Sequence, residues 1–267
     1  MLSFLQNRFD RLAAIPVRAE NEPQLREEIH LLLTLAHLCA GGADQMQKQS
    51  LAQLTQGCHK ILRKLENLLL CRARTLAFEP CAIVSFLDDI CCACDLLLSG
   101  CGKRVLFHAD IPGRFSGRDR QPLSESGAPE VMLGCAPGPV RCALLNLIAN
   151  AARHSQADTI LVRFSRTFNH VLITVRSDGE APLQALQRGT DAAGAGLCAV
   201  RRCVELHRGT LLFQSDEGCT AAAFALPHGL ETRPEAYPLP QPDFVEYICD
   251  RLSPVYTGLS GLCPCPV

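Results

Sequence analysis

The sequence predicts an α+β protein: an N-terminal antiparallel helical hairpin that pairs with a second copy into a four-helix bundle, followed by a two-layer α/β sandwich. Three observations predict it. Apolar residues recur in alternating steps of four and three from Leu25 to Cys39 and again from Leu51 to Leu68, the spacing of helices that pack along a seam. Short runs rich in β-branched or apolar residues begin at Thr159, His170, Gly209 and Cys219 and read as strands. Among these strands lie two helical segments, 146–155 and the stretch opened by Gly194 and Gly196.

Length and composition set the bounds. A chain of 267 residues holds one or two domains, and a net charge of −1 offers no basic surface for nucleic acid. No apolar run is long enough to cross a bilayer, and the opening MLSFLQNRFDRLAAI is too acidic and too amphipathic for a secretory signal, so a cytoplasmic protein is expected. Sixteen cysteines are unusual. A metal or redox site at Cys91, Cys92, Cys94 and Cys101, with Cys263 and Cys265, is one reading. Only Cys91 and Cys94 have the C-x₂-C spacing of a zinc knuckle, with no second such pair to complete a site, and the other reading is small buried apolar residues in a reducing compartment.

Taken in order, Leu2, Leu5, Phe9 and Leu12 predict a short amphipathic helix that ends near Pro16. Asn21 and Pro23 suit the start of the first long helix, and Gly41 and Gly42 break it before the second. A lone hairpin of this kind leaves apolar surface bare, which is the reason for expecting a homodimer. Residues 112–130, rich in Gly, Pro, Ser and charge, read as a loop.

The segment 146–155 carries the chemistry. Helical spacing puts Asn146, Asn150 and Arg153 on one face, with Leu144, Leu145, Ile148 and Ala152 on the side that packs against a sheet. Amide oxygens are hard ligands for Mg²⁺, and a guanidinium one turn on meets phosphate oxygens, so this face suits a metal–triphosphate pair. Strands Thr159–Ser165 and His170–Val175 follow, joined through Thr167 to Asn169, then the turn at 177–182. Gly194 and Gly196 next open a helix whose apolar positions are Leu197, Val200, Cys203, Val204 and Leu206. Strands Gly209–Gln214 and Cys219–Leu226 close the unit. The proline-rich tail reads as a linker with one short helix at Phe244–Leu252.

This order of asparagine helix, hairpin, acidic Gly turn, Gly-rich helix start and closing hairpin resembles the ATP-binding domain of sensor histidine kinases, a member of the GHKL superfamily with a Bergerat-type sandwich. Asn150 falls on the family's Mg²⁺-ligating asparagine, and Val204 to Gly209 is similar to its VELHGG segment. The resemblance implies a dimerisation and phosphotransfer region over residues 1–76, including the helix end at 66–74. An ATP-binding domain over 77–228 would follow, entered by a strand, helix and strand across Phe78–Leu98 and Lys103–Ile111, with a tail over 229–267. It further implies ATP and Mg²⁺ as cofactors, with Asn146 and Asn150 on the metal. Arg153, Ser177, Asp178, Gly179, Gly194, Gly196 and Leu197 would join them around the nucleotide. The activity implied is autophosphorylation of a bundle histidine and transfer to a response regulator.

The departures from the family pattern are specific. Aligned from Val175, the family's adenine-reading aspartate is Ser177 here, and Asp178 stands one position late, on the opposite face of an extended segment. The first glycine of the Gly-rich box is Ala192, and Arg188 is the lid's only cation. His30 and His37, one heptad apart beside Ile29 and Ala36, are the phosphoacceptor candidates, with His59 a remoter one; none has the family's H-E-x-x-T-P sequence. The alternatives are a degenerate pseudokinase, phosphotransferase or scaffold, a structural dimer that binds no nucleotide, and a serine kinase of the anti-sigma type. The last has no such hairpin, so residues 24–74 argue against it.

Overall fold

Three helices build the N-terminal part of the computed structural model: α1 (Leu2–Ala13), α2 (Glu22–Ala40) and α3 (Gln45–Arg72). The structure describes residues 2–16, 18–111, 131–154, 158–178, 194–216, 218–228, 241–259 and 261–262. Helix α3 starts at a capping box in which Asp44 Oδ1 accepts from the Gln47 N–H at 2.8 Å and Gln47 Oε1 accepts from the Asp44 N–H at 3.2 Å. Leu25, Ile29, Leu32 and Ala36 of α2 meet Leu51, Leu54, Cys58, Leu62 and Leu65 of α3. The predicted positions Leu51, Leu54, Cys58 and Leu65 are thus kept, while Leu62 is buried in place of Ile61 and Leu68 is only half-buried. A straight helix of 3.6 residues per turn rotates away from a 3.5 repeat over a length of 28 residues.

Helix α1 supplies what the hairpin alone lacks. Leu5 is fully buried and the Phe9 ring fills the space over Gly57, where a Cβ would collide with it. The seam expected to face a second copy is thus covered within one chain. What α2 leaves in solvent is a different stripe, with Leu31 and Leu38 exposed and Leu35 half-buried between them. No described helix is long and apolar enough to cross a membrane.

The second part opens with β1 (Glu79–Ala82), which pairs antiparallel with β3 (Met132–Cys135). Between them run α4 (Ile83–Ser99) and β2 (Arg104–Asp110). Then come α5 (Pro137–His154), β4 (Thr159–Arg166), β5 (His170–Asp178), α6 (Gly194–Leu206), β6 (Thr210–Asp216) and β7 (Cys219–Pro227). The main sheet has the order β2-β4-β5-β7-β6, parallel between β2 and β4 and antiparallel elsewhere. Ile160, Val162 and Phe164 of β4 and Val171, Ile173 and Val175 of β5 are buried on one face, against α5, while alternate residues are less buried. This is the two-layer α/β sandwich that the sequence predicts. Helix α3 joins the two parts: Leu65 belongs to the helical core and Leu70 to the core under the sheet.

The end of α6 holds the one positive-φ residue among the described non-glycines, Arg208 at φ 56°. It occupies a glycine position of the VELHGG pattern, in a left-handed conformation that costs a residue with a Cβ about 1–2 kcal/mol. Arg208→Gly is therefore expected to stabilise the chain by about 1 kcal/mol and raise Tm by about 2–4 °C in a thermal melt, despite glycine's greater freedom when unfolded. Gly209, by contrast, has no room for a side chain, because a Cβ there would meet the Ala225 carbonyl oxygen.

The C-terminal segment differs from the expected linker. Helices α7 (Phe244–Cys249) and α8 (Pro254–Gly258) pack on α3, α4 and α5. Tyr247 is fully buried, Gly258 abuts the Leu145 side chain, and Arg251 offers its carbonyl to the buried His59 ring at 2.9 Å. Asp243 and Glu246 form a capping box at the start of α7. Phe244, Tyr247 and Ile248, then Val255, Tyr256 and Leu259, recur at helical spacing; that periodicity outweighs the prolines before it. The loop at 112–130 and the residues 263–267 lie outside the described residues.

Candidate functional site

Helix α5 begins at Pro137, nine positions before the predicted segment, and is anchored by Val140, Ala143, Leu144 and Ile148, all fully buried. That leaves Asn146, Asn150 and Arg153 along one side of a cavity of about 500 Å³. Ala195, Gly196 and Leu197, at the start of α6, form a second side. A third wall comes from α3, through Lys60, Arg63, Lys64 and Asn67, and this wall was not anticipated from the sequence. Its signal was present: residues 60, 63, 64 and 67 fall on one helical stripe, away from the leucine seam.

Asn146 is the hub. It is 2 % exposed, and its amide N–H groups donate to Asn67 Oδ1 at 2.7 Å and to the Cys142 carbonyl at 2.9 Å. Its Oδ1 accepts from Arg63 at 2.9 Å. A Cβ on residue 196 would come within 2.7 Å of that oxygen, so Gly196 is what lets α6 approach so closely. The amide oxygen that a metal would use is thus already engaged, whereas Asn150, one turn along, is half-buried and lines the cavity. The contact between α3 and α6 is fixed further on, where Arg202 donates twice to the Ala73 carbonyl, at 2.9 and 2.7 Å.

The electrostatics are one-sided. Among the described residues lining the cavity there is no carboxylate, and there are four cations. Burial, and then the charge of Arg153, push Arg63 down to about 10, still cationic at neutral pH. Burial likewise pushes the neighbouring Cys142 thiol up to about 12.

At the end of β5, Ser177 is buried on the helix-facing side and Asp178 is exposed on the other. The alternation that separates them in the sequence therefore holds. Ser177 stands opposite Thr220 of β7, also buried, so two hydroxyl residues sit side by side at this edge. Neither lines the cavity described above. Gly179 and the lid through Ala193 lie outside the described residues, and Gly194 is the first residue of α6.

Residues 136–229 match the family described as histidine kinase-, DNA gyrase B- and HSP90-like ATPase. This segment is a histidine-kinase-like ATPase core of the GHKL type. The fold is similar to full-length ShkA, solved in complex with AMPPNP, with a TM-score of 0.58 and 19 % identity over 81 % of this chain and 46 % of that one. It is also similar to the Acinetobacter baumannii histidine kinase AdeS, with a TM-score of 0.52 and 15 % identity over 76 % of this chain and 96 % of that one. The chain thus spans just under half the length of ShkA, and at these identities the likeness is one of fold. No curated protein sequence matches it.

The N-terminal helices α2 and α3 place the histidines unequally. His37 is exposed, His30 is half-buried, and His59 is buried with its Nε2 against the Arg251 carbonyl, which removes it from any surface reaction. His30 lies one turn beyond Arg26 on α2, farther from the Gly41–Gly42 turn than His37. His37 is about 10 Å further along the helix. Of the candidate cysteines, Cys91 and Cys94 fit the apolar reading, Cys92 is exposed and Cys101 half-buried, and Cys263 and Cys265 lie outside the described residues. Cys91 and Cys94 are buried with thiols pushed up by burial, and no group of three or more His, Cys, Asp or Glu is placed to hold a metal among the described residues.

His207 secures the core below the site. Its Nε2 accepts from the Ala136 N–H at 3.0 Å, so the ring proton is on Nδ1, which donates to the Cys203 carbonyl at 2.7 Å. Burial lowers its pKa from 6.5, against the opposing pull of that carbonyl, and burial also lowers that of His59. The unfolded chain therefore binds more protons than the folded one below about pH 6.5, and stability present above that pH is lost as the pH falls. Each histidine contributes up to about 1.4 kcal/mol per pH unit. Urea unfolding at pH 7.5 and 5.5 checks this: His207→Asn should lower stability at the higher pH and flatten the dependence, and an unchanged slope would contradict it.

Proposed function

We propose that the chain binds ATP with Mg²⁺ at the α5–α6 cavity and is a histidine-kinase-like phosphotransferase of a two-component system. The observation that carries this reading is the convergence of Asn150, Arg153 and the glycine-opened start of α6 on one cation-lined cavity, within the residues that match the ATPase family. Asn150 is the metal ligand, Arg153 meets phosphate oxygens, and Asn146 joins the metal only if it releases Arg63. Bound Mg²⁺ supplies charge neutralisation between the terminal phosphates. Gly194, Gly196 and Leu197 hold the phosphate side, while Ser177, with Thr220 beside it and Asp178 and Gly179 following, holds the adenine side. A serine hydroxyl reads adenine more weakly than a carboxylate.

Calorimetric titration with ATP tests this. Wild type is expected to bind in a Mg²⁺-dependent way, and Asn150→Ala to weaken binding roughly tenfold or more. No heat at millimolar nucleotide would reject the reading.

His30 is the preferred acceptor and a receiver aspartate the onward partner. A homodimer forms through the exposed stripe Leu31, Leu35 and Leu38, and the many free cysteines favour a reducing, cytoplasmic setting. A second reading, a pseudokinase or phosphotransferase with little activity of its own, is favoured by Ser177 in the adenine position and by the lack of a lid lysine.

A further inference from the structure

We propose that the hairpin helix α3 is itself a wall of the nucleotide site, where Lys60, Arg63 and Lys64 bind the polyphosphate in place of the lid lysine that this chain lacks. The proposal rests on the nucleotide reading above and extends it to residues outside the ATPase core. The three cations stand at i, i+3 and i+4, so all face the cavity that Asn150 and Arg153 line from the other side. Arg63 is half-buried and feels the like charge of Arg153 on the same cavity, and its hydrogen-bonded partner is the neutral Asn146 amide. Half-buried Arg63 and exposed Arg153 line one cavity within reach of each other's charge, which favours an anion between them. Glu66 offsets part of this charge, but it lies on a neighbouring cavity, where Arg141 and Arg26 act on it more strongly than Arg63 does.

The donors are available. A guanidinium has five N–H groups, of which Arg63 gives one to Asn146. Lys60 and Lys64 are exposed at the rim, and α6 opens on the same cavity with no acidic residue in its first turn. A site with four cations and no carboxylate selects for negative charge. It therefore ranks ligands by phosphate number: a triphosphate above a diphosphate above a monophosphate. Binding would also tie α3, and with it the hairpin, to the ATPase core.

The test uses the full chain and a double variant, Lys60→Ala with Lys64→Ala, whose changes lie on exposed positions; Lys48→Ala, exposed on α3 away from the cavity, controls for overall charge. Calorimetry is run with ATP, AMP and inorganic tripolyphosphate. The expected result is that the double variant loses roughly tenfold or more in ATP affinity, keeps its AMP affinity and loses tripolyphosphate binding, while Lys48→Ala behaves as wild type. ATP affinity unchanged in the double variant would overturn the proposal and leave the nucleotide reading standing. Tripolyphosphate binding that depends on the two lysines, without any nucleotide binding, would sustain the cationic wall and reject the nucleotide reading. Wild type that binds neither ligand would overturn both.

Discussion

With γ-labelled ATP and Mg²⁺, autophosphorylation of the full chain is expected to run about 10²–10⁴-fold below ordinary kinase rates, with the label on His30. Phosphoryl transfer depends on positioning and electrostatic stabilisation, and the metal ligand Asn150 and the cations around the cavity are in place for it. The proton acceptor beside the histidine is not. The residue directly after His30 is Leu31 rather than an acidic one, Glu28 is ion-paired with Arg8, and the Thr34 hydroxyl donates to the His30 carbonyl at 2.8 Å. A missing general base accounts for the rate. His30 is preferred because it lies within continuous helix, farther from the Gly41–Gly42 break than His37. Acid-labile labelling at ordinary rates would show that the missing base matters little, and labelling lost in His37→Gln but kept in His30→Gln would reverse the assignment.

The second large effect is on the helical part. Leu32 is 0 % exposed and Leu65 1 %, both packed within one chain, so Leu32→Lys or Leu65→Lys is expected to unfold the helices, costing about 4 kcal/mol or more for a buried unpaired charge. Simple dissociation into folded monomers is not the expected outcome at either position. Leu31 is 43 % exposed and Leu38 71 %, and charges there should leave circular dichroism unchanged while halving the mass in light scattering. A wild-type chain that is monomeric at all concentrations would dispose of the dimer. Folded, helical Leu32→Lys protein would contradict the packing of α1 over the hairpin.

How far this was readable beforehand depends on where the information sits. Periodicity within one segment gave the long helices and the strands from Thr159 onward, and the spacing of Asn146, Asn150 and Arg153 gave their common face. The alternation that separates Ser177 from Asp178 was also local, and it is present in β5. What escaped was pairing between distant segments. That α1 covers the hairpin seam depends on Phe9 meeting Gly57, and that the tail folds onto the core depends on Tyr247 and Gly258 finding α4 and α5. The cationic stripe of α3 was visible as spacing, but its destination was not. A stripe of lysine and arginine usually marks a solvated face, and only the packing of Asn67 against Asn146 turns it toward the site.

Amide hydrogen exchange of the full chain, with and without Mg²⁺ and ATP, tests the location of the nucleotide most directly. Slower exchange is expected in the last two turns of α5 around Asn150 and in the first turns of α6 from Ala195, with α1 and β6 unchanged. Protection absent from both helix segments, or found only on the N-terminal helices, would contradict the account.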